Sequence, residues 1–526
     1  MAGTLRSTVF DTLVVDEPQL VRLAELVALK IQAGDVIALS GDLGAGKSTF
    51  ARALIRAALA DPGAEVPSPT FSLVQSYATA RVPITHADLY RLTDPQEARE
   101  LGLADSAPTG CLIIEWPERG PDPAEFGELL LITFDDVAAD PGRRRVTVRP
   151  HRSWLRRVER LGEIWRFIAT AAAPFDLNAA SIAYLQGDAS PRAYARIRSG
   201  GTSACASAIL MDAPRQADGP PIRDGKPYSR IAHLAEDVKP FVAIGTALGR
   251  AGLSAPMIYD QDLDSGLLLI EDFGEAVFGR VLAEGGPQAD LWRAATDVLV
   301  ALRHSRIDVL LKASSPPAYA LPAYDRDAMA IETELLVDWY VPAVDGAPAG
   351  GGMRTEFTGL WNRIFSRLLL EPSGLVLRDY HSPNLMWLPG RTGVERVGLL
   401  DFQDAMSGPW AYDLVSLLQD ARLDVPASLE AALLARYANC VREFEPEFDG
   451  DAFSFAYAAF GAQRNTKILG IFARLARRDG KNQYLVHVPR IWGYLERNLA
   501  HPELRELRAW YDLHLPIMLR TRPLPI

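Results

Sequence analysis

Between Leu377 and Asp413 the chain reads LRDYHSPNLMW, a short connection, VGLLDFQDA and GPWAYDL. Asp379 and Asn384 stand at the spacing D-x-x-x-x-N, and Asp401 ends the run VGLL. Phosphoryl transfer needs a carboxylate beside the acceptor hydroxyl and oxygen ligands that hold magnesium against nucleotide phosphates. Asp379 suits the first task as catalytic base, and Asn384 with Asp401 suits the second as metal ligands. Each acid follows an apolar strand-like run, LVL in one case and VGLL in the other. Asp413 reads as a buried acid that caps or braces this loop.

A second set of chemical residues lies near the N-terminus. VIALS, a short buried strand, runs into GDLGAGKS at 41–48, and the helix-like STFARALIRAAL follows. This is G-x-x-x-x-G-K-[ST] with strand before and helix after. Gly41, Asp42, Gly44, Ala45 and Gly46 supply backbone N–H groups to phosphate oxygens, continued by Ser48 and Thr49 at the helix start. Lys47 reaches the β- and γ-phosphates, and the Ser48 hydroxyl is a magnesium ligand. CLII at 111–114 is a buried strand that delivers Glu115, a second oxygen for the metal or its water, to the sheet edge beside the P-loop. Thr70 in SPTF and Asp88 in HADLYR are expected on loops that sense the γ-phosphate, with Asp88 positioning the attacking water. Trp116 either lies beside the nucleotide or packs under the sheet. His86 is expected to be structural.

The elements that must position these groups occupy a chain of 526 residues, long enough for more than one domain. Hydrophobic residues make up 48% and charged residues 23%, the balance of a globular protein without membrane spans. The net charge of −11 excludes a chain dominated by nucleic-acid binding. Residues 1–150 hold 14 Lys and Arg against 21 Asp and Glu, so this part is not expected to grip tRNA alone. Cys111, Cys205 and Cys440 are far apart, which suggests neither a disulfide framework nor a zinc site. A cytoplasmic protein is expected.

With GDLGAGKS, the segments VPSPTFSLVQSY, HADLYRL and CLIIEWPE resemble the TsaE family, the ATPase subunit of the bacterial machinery that makes threonylcarbamoyladenosine in tRNA. The resemblance covers about residues 10–150. It implies ATP and Mg2+ as cofactors, TsaB- and TsaD-like proteins as partners, and tRNA contacted only indirectly.

LQGDASPRAY, ILMDAP, LLLIEDFG, LRDYHSPNLMW, LLDFQDA, GPWAYDLVSLL and QRNTKILGIFARL resemble the aminoglycoside-phosphotransferase-like superfamily, and within it the AmgK family of anomeric N-acetylmuramate and N-acetylglucosamine kinases. This resemblance covers roughly residues 155–526 and implies a role in cell-wall recycling. It makes Asp379 the base and Asn384 and Asp401 the magnesium ligands. Gly187 lies in a turn expected to cover nucleotide phosphates, and Glu271 ends the strand expected to line the adenine pocket. Arg464, Asn465 and Lys467 are either sugar contacts or parts of a structural network. Two departures stand out. Leu377 replaces the superfamily's histidine two residues before the base, and ILMDAP lacks the usual phosphate-pairing lysine, for which Arg192, Arg196, Lys226 and Lys239 are substitutes. Two alternatives follow: a nucleotide-binding docking module, or a kinase of another hydroxyl acceptor such as an aminoglycoside.

The expected fold is an α/β P-loop NTPase domain followed by an α+β protein-kinase-like (aminoglycoside phosphotransferase) bilobal domain. The division runs 1–150 for the ATPase, 151–170 for a basic linker helix, 171–274 for an N-lobe with a glycine-containing hairpin and hinge, and 275–526 for a helical C-lobe. Residues 18–33 are expected to form a helix stopped by Gly34. In the linker helix Arg152, Arg156, Arg157 and Arg160 face solvent, RNA or an acidic partner.

Overall fold

The computed structural model describes residues 12–138, 140–177, 180–185, 192–199, 207–305, 307, 311 and 319–524. It divides into two compact units, Met1–Arg215 with Ile258–Asp272, and Gln216–Met257 with Phe273–Ile526. The linear division drawn from sequence follows this only in part. Residues 151–170 and most of the expected N-lobe share a unit with residues 1–150, and residues 216–257 pack with the rest of the C-terminal part.

In the first unit β1 (Leu13–Val15) precedes α1 (Glu17–Ala28). Asp16 and Gln19 form a reciprocal capping box, and Leu20, Leu23 and Val27 are buried from one face. The helix ends at Ala28, short of the expected Gly34. Arg81 occupies the carbonyls of Ala28, Leu29 and Ile31, so the last turn is capped by a side chain instead of continuing.

β2 (Asp35–Gly41), β4 (Ile84–Asp88), β5 (Cys111–Glu115) and β6 (Glu128–Asp136) run parallel, with β3 (Val74–Tyr77) and β7 (Arg144–Pro150) antiparallel at the flanks. The sheet order is β1-β7-β6-β2-β5-β4-β3. Near-continuous apolar runs in β2 and β5 suit strands covered on both faces. Register pairs Leu39 and Asp88 each with Glu115, so three strand ends meet where β2 turns into α2 (Lys47–Leu59).

A second sheet belongs to the same unit: β8 (Ser181–Leu185), β9 (Ala193–Arg198), β10 (Ser207–Asp212), β11 (Ile258–Asp262) and β12 (Leu267–Glu271), in the order β11-β12-β10-β9-β8. Ile182, Ala195, Ile197, Ala208, Leu210, Leu267 and Leu269 alternate along its strands and point to one face. They join a single core with Leu23 and Val27 of α1, Leu54 of α2, and Trp154, Val158 and Leu161 of α3 (Trp154–Thr170). The helices α1, α2 and α3 therefore cover this sheet.

The basic residues of α3 correct the sequence reading. Arg157 forks onto Asp35 at 2.5 and 2.7 Å, and Arg160 donates to Asp212 at 2.9 and 2.7 Å. Lys30 also pairs with Asp212. These two arginines staple the unit internally, and only Arg152 and Arg156 are exposed.

The second unit is mainly helical. It contains α4 (Lys239–Arg250), α5 (Arg326–Leu335), α6 (Ala411–Leu418) and α7 (Gly450–Asp479). Two short ribbons frame the catalytic stretch, β13 (Ser373–Val376) with β16 (Met406–Pro409), and β14 (Leu385–Trp387) with β15 (Val397–Leu399). No helix among the described residues is long and apolar enough to cross a membrane.

Leu210 is buried in the core that the two sheets share. Leu210→Ala is expected to destabilise the unit by about 2–5 kcal/mol. Hydrogen exchange is expected to speed up together in β2 and β10. Acceleration confined to the second sheet would contradict a common core.

Candidate phosphoryl-transfer sites

In the first unit the P-loop backbone takes conformations that its glycines permit. Gly44 and Gly46 have φ of 79° and 110°, and a Cβ at Gly41 would lie 2.4 Å from the Phe134 carbonyl oxygen. Lys47 Nζ donates to the carbonyls of Gly41 at 2.6 Å and Asp42 at 2.8 Å, and sits 3.7 Å from the Trp116 ring centroid. Burial lowers the Lys47 pKa, while Glu115, Glu118 and Asp88 oppose it. Ala45 is buried, and Thr49 continues the first turn of α2.

Ser48 Oγ donates to Glu115 Oε2 at 2.8 Å, and His86 Nε2 lies 2.9 Å from Glu115 Oε1. A hydroxyl and a carboxylate thus converge at the head of α2, a hard-oxygen pair of the kind magnesium takes beside phosphates. Asp88 is the last residue of β4 and buried, not on a loop as expected from sequence. Ser68 and Thr70 hydroxyls both donate to Asp88 Oδ2 at 3.1 Å, which ties the SPTF segment to the strand end. Trp116 has a positive φ of 59° and packs at 4.9 Å from Tyr90. Its ring covers the Lys47 ammonium and also packs against the core on one face of the sheet.

In the second unit the catalytic stretch hangs on buried acids. Asp413, at the start of α6, accepts the backbone N–H groups of Leu377 at 2.6 Å and Arg378 at 2.8 Å. Burial pushes its carboxyl up to about 7. Ser382 N–H donates to Asp420 at 2.8 Å, and Asn384 Nδ2 donates to the Asp379 carbonyl at 3.0 Å. Arg378, with φ of 71°, sends its guanidinium to the Ala232 carbonyl and to Glu332. A left-handed non-glycine residue costs about 1–3 kcal/mol, and this one is fixed at both backbone and side chain.

Leu385 pairs with Leu399, so Asn384 and Asp401 come to the same end of the β14/β15 ribbon. Asp401 also has a positive φ, 56°, and accepts from Gln403 at 2.7 Å. Both present oxygen donors compatible with magnesium. Asp379 is half-buried, and among the described residues nothing hydrogen-bonds its carboxylate.

Of the three α7 residues raised as sugar contacts, two are engaged elsewhere. Asn465 donates to Gln419 at 2.7 Å, and Lys467 donates to Glu332 at 2.7 Å. Arg464 is buried beside them. Gly187 lies outside the described residues, and Glu271 ends β12 in the first unit. Among the cations considered in place of the missing lysine, Arg196 is buried and paired with Asp272 at 2.7 Å. Lys226 is exposed on a short hairpin, and Lys239 stands at the start of α4, 3.9 Å from Asp237.

Glu332 was not singled out from sequence. It accepts from Arg378, Lys467, Gln463 and Tyr324 and is fully buried. A signal existed: it falls four residues after Ala328 and three before Leu335, inside the apolar stripe of α5. Burial works to raise its pKa, but Lys467 and Arg378 bring it down to about 2.

The sequence matches two families. Residues 14–145 match the family described as threonylcarbamoyl adenosine biosynthesis protein TsaE, and residues 181–449 match the phosphotransferase enzyme family. A Caulobacter vibrioides protein named N-acetylmuramate/N-acetylglucosamine kinase is 38% identical over 345 residues, 64% of this chain and 92% of that protein. Two proteins named tRNA threonylcarbamoyladenosine biosynthesis protein TsaE match the N-terminal part. The one from Rickettsia felis is 40% identical over 103 residues, 20% of this chain and 60% of that protein. The one from Rickettsia bellii is 36% identical over 108 residues, 20% of this chain and 74% of that protein.

Glu332→Gln leaves Arg378 and Lys467 buried without their counter-charge, and is expected to destabilise the fold by about 3–5 kcal/mol at pH 7. Because the folded pKa lies below the unfolded value, Glu332 stabilises the wild type above about pH 4.5 and loses that effect as pH falls toward about 2. Urea unfolding at pH 7 and pH 3 is expected to show the gap between wild type and variant narrowing in acid.

Proposed function

Because the chain belongs to the TsaE family in its N-terminal part and to the phosphotransferase enzyme family in its C-terminal part, we propose that it carries two ATP-dependent activities. The first is the ATPase that supports threonylcarbamoyladenosine modification of tRNA. The second is the anomeric phosphorylation of N-acetylmuramate and N-acetylglucosamine in peptidoglycan recycling. The observation that carries the sugar-kinase reading is the extent of the match, 92% of the Caulobacter kinase, across a loop that leaves the Asp379 carboxylate open.

In this reading Asp379 accepts the proton of the anomeric hydroxyl as the phosphoryl group arrives. Asn384 and Asp401 hold Mg2+, which neutralises phosphate charge when bound. Asp413 and Glu332 keep the loop in place. Leu377 is buried, and its N–H serves Asp413, so a packing role at this position survives the loss of histidine.

In the ATPase, Lys47 and the P-loop amides bind the phosphates. Ser48 and Glu115 take the metal, Asp88 orients water, and Thr70 reports the γ-phosphate to the segment it ties to β4. The acidic balance of residues 1–150 supports action through TsaB- and TsaD-like partner proteins, with tRNA reached through them. Two ATP-dependent reactions support a cytoplasmic location.

Asp379→Asn is expected to lower sugar phosphorylation by about 10²–10⁴-fold and leave ATP hydrolysis at the P-loop in place. Lys47→Ala is expected to do the reverse. Transfer of phosphate from ATP to each sugar, measured beside phosphate release without sugar, checks both. Loss of both activities in either variant would refute two separate sites.

A further inference from the structure

The polar run Gln463, Arg464, Asn465 and Lys467 enters the core of the second unit on α7. Gln463 and Lys467 donate to Glu332, and Asn465 donates to Gln419 and to the Gly461 carbonyl. Arg464 is different. It is 6% exposed, its Nη1 is buried without a hydrogen-bond partner, and among the described residues its side chain makes no hydrogen bond or ion pair. An unpaired buried guanidinium is strongly unfavourable, and proteins keep such a charge where an anion arrives to meet it.

Its surroundings belong to the catalytic loop. The Arg464 charge acts on Asp413, His381 and Tyr412, and the Asp379 charge acts on the same Asp413 and His381. Asp413 and Arg464 attract each other, but among the described residues no hydrogen bond or ion pair joins them. Both Asp413 oxygens already accept backbone N–H groups, and burial disfavours its charged form. Tyr412 keeps its proton because it is buried. Of the other buried acids here, Glu332 is committed to Arg378 and Lys467, and Asp420 accepts the Ser382, Arg422 and Leu423 amides.

We infer that Arg464 is the anion-recognition residue of the sugar-kinase site and meets an oxyanion that enters with the reactants. The inference rests on the kinase reading. Two reactant groups share the required chemistry: the carboxylate of N-acetylmuramate's lactyl ether, which N-acetylglucosamine lacks, and the phosphoryl group in transfer, common to both sugars. Either is a good partner for a planar guanidinium.

Arg464→Gln in the full chain, assayed with both sugars, separates them. Recognition of the carboxylate raises KM for N-acetylmuramate about 10²-fold and leaves N-acetylglucosamine kinetics unchanged. Recognition of the phosphoryl group lowers kcat for both sugars by a similar factor, with KM unchanged. Kinetics within twofold of wild type for both sugars would overturn the inference.

Thermal unfolding decides the matter without turnover. Arg464→Met is expected to unfold at or above the wild-type temperature in anion-free buffer, and to gain less than wild type from added inorganic phosphate. A variant several degrees less stable, with an equal response to phosphate, would make Arg464 a structural residue. If wild type phosphorylates neither sugar while phosphate still distinguishes it from the Met variant, the sugar reading fails and the anion site stands.

Discussion

An apolar sheet face cannot be left in water, and covering one is the constraint on which the first unit depends. The strands from β8 to β12 place seven apolar side chains on one face, and α1, α2 and α3 close over them. At about 25 cal/mol per Å² of apolar surface, such burial is the main stabilising term available. The cover is not a neutral lid. The residues that open α2, Lys47 and Ser48, are those of the P-loop, and Leu54 on the same helix reaches the common core. A helix that presents phosphate ligands at one end and seals another domain's sheet along its side makes the two parts one folding unit. The ion pairs of α3 with Asp35 and Asp212 fix its rotation, because Arg157 reaches one sheet and Arg160 the other.

The second unit solves a different problem, that of placing a loop without surrendering its reactive carboxylate. Asp379 must stay unengaged to accept a proton, so it is positioned through its neighbours. Asp413 holds the backbone just before it, Asn384 holds its carbonyl, and Glu332 holds the Arg378 side chain. Asp413 and Glu332 are buried, where a hydrogen bond is strong because water is excluded and a polar group is unfavourable if left unpaired. The loop thereby tolerates two residues in the left-handed region, Arg378 and Asp401, on either side of the reactive position.

The placement of the candidate residues was legible in the sequence because phosphate chemistry constrains type and spacing together. The P-loop between strand and helix and Glu115 at a strand end agree with the local pattern, and Asn384 and Asp401 come to one end of a ribbon. What sequence did not disclose were contacts between residues far apart in the chain. Arg157 and Arg160 look like a solvated basic face until Asp35 and Asp212 are brought to them from over 50 positions away. Asp88 reads as a turn acid because the parallel pairing that makes it a strand end is set by β5. Asn465 and Lys467 share a motif with Arg464, yet their partners lie on α5 and after α6. Helical spacing alone does not say which of three neighbours is left unpaired.

β10 carries no lysine, and the arginine on the neighbouring strand is engaged within the sheet. Within the second sheet, Arg196 pairs across β9 and β10 with Ile209, so it projects from the face opposite the ATPase helices. Asp272 takes its guanidinium and also accepts from Ser207 at 2.7 Å, which fixes the acid before it meets the arginine. On that face the Arg196 charge is met by the Asp272 carboxylate, so the pair is neutral as a whole. Arginine suits this arrangement better than lysine. Its planar fork pairs with Asp272 through two nitrogens, and it remains charged when buried. Arg196 is thereby committed to holding this face of the sheet together, with Ser207 fixing the same carboxylate.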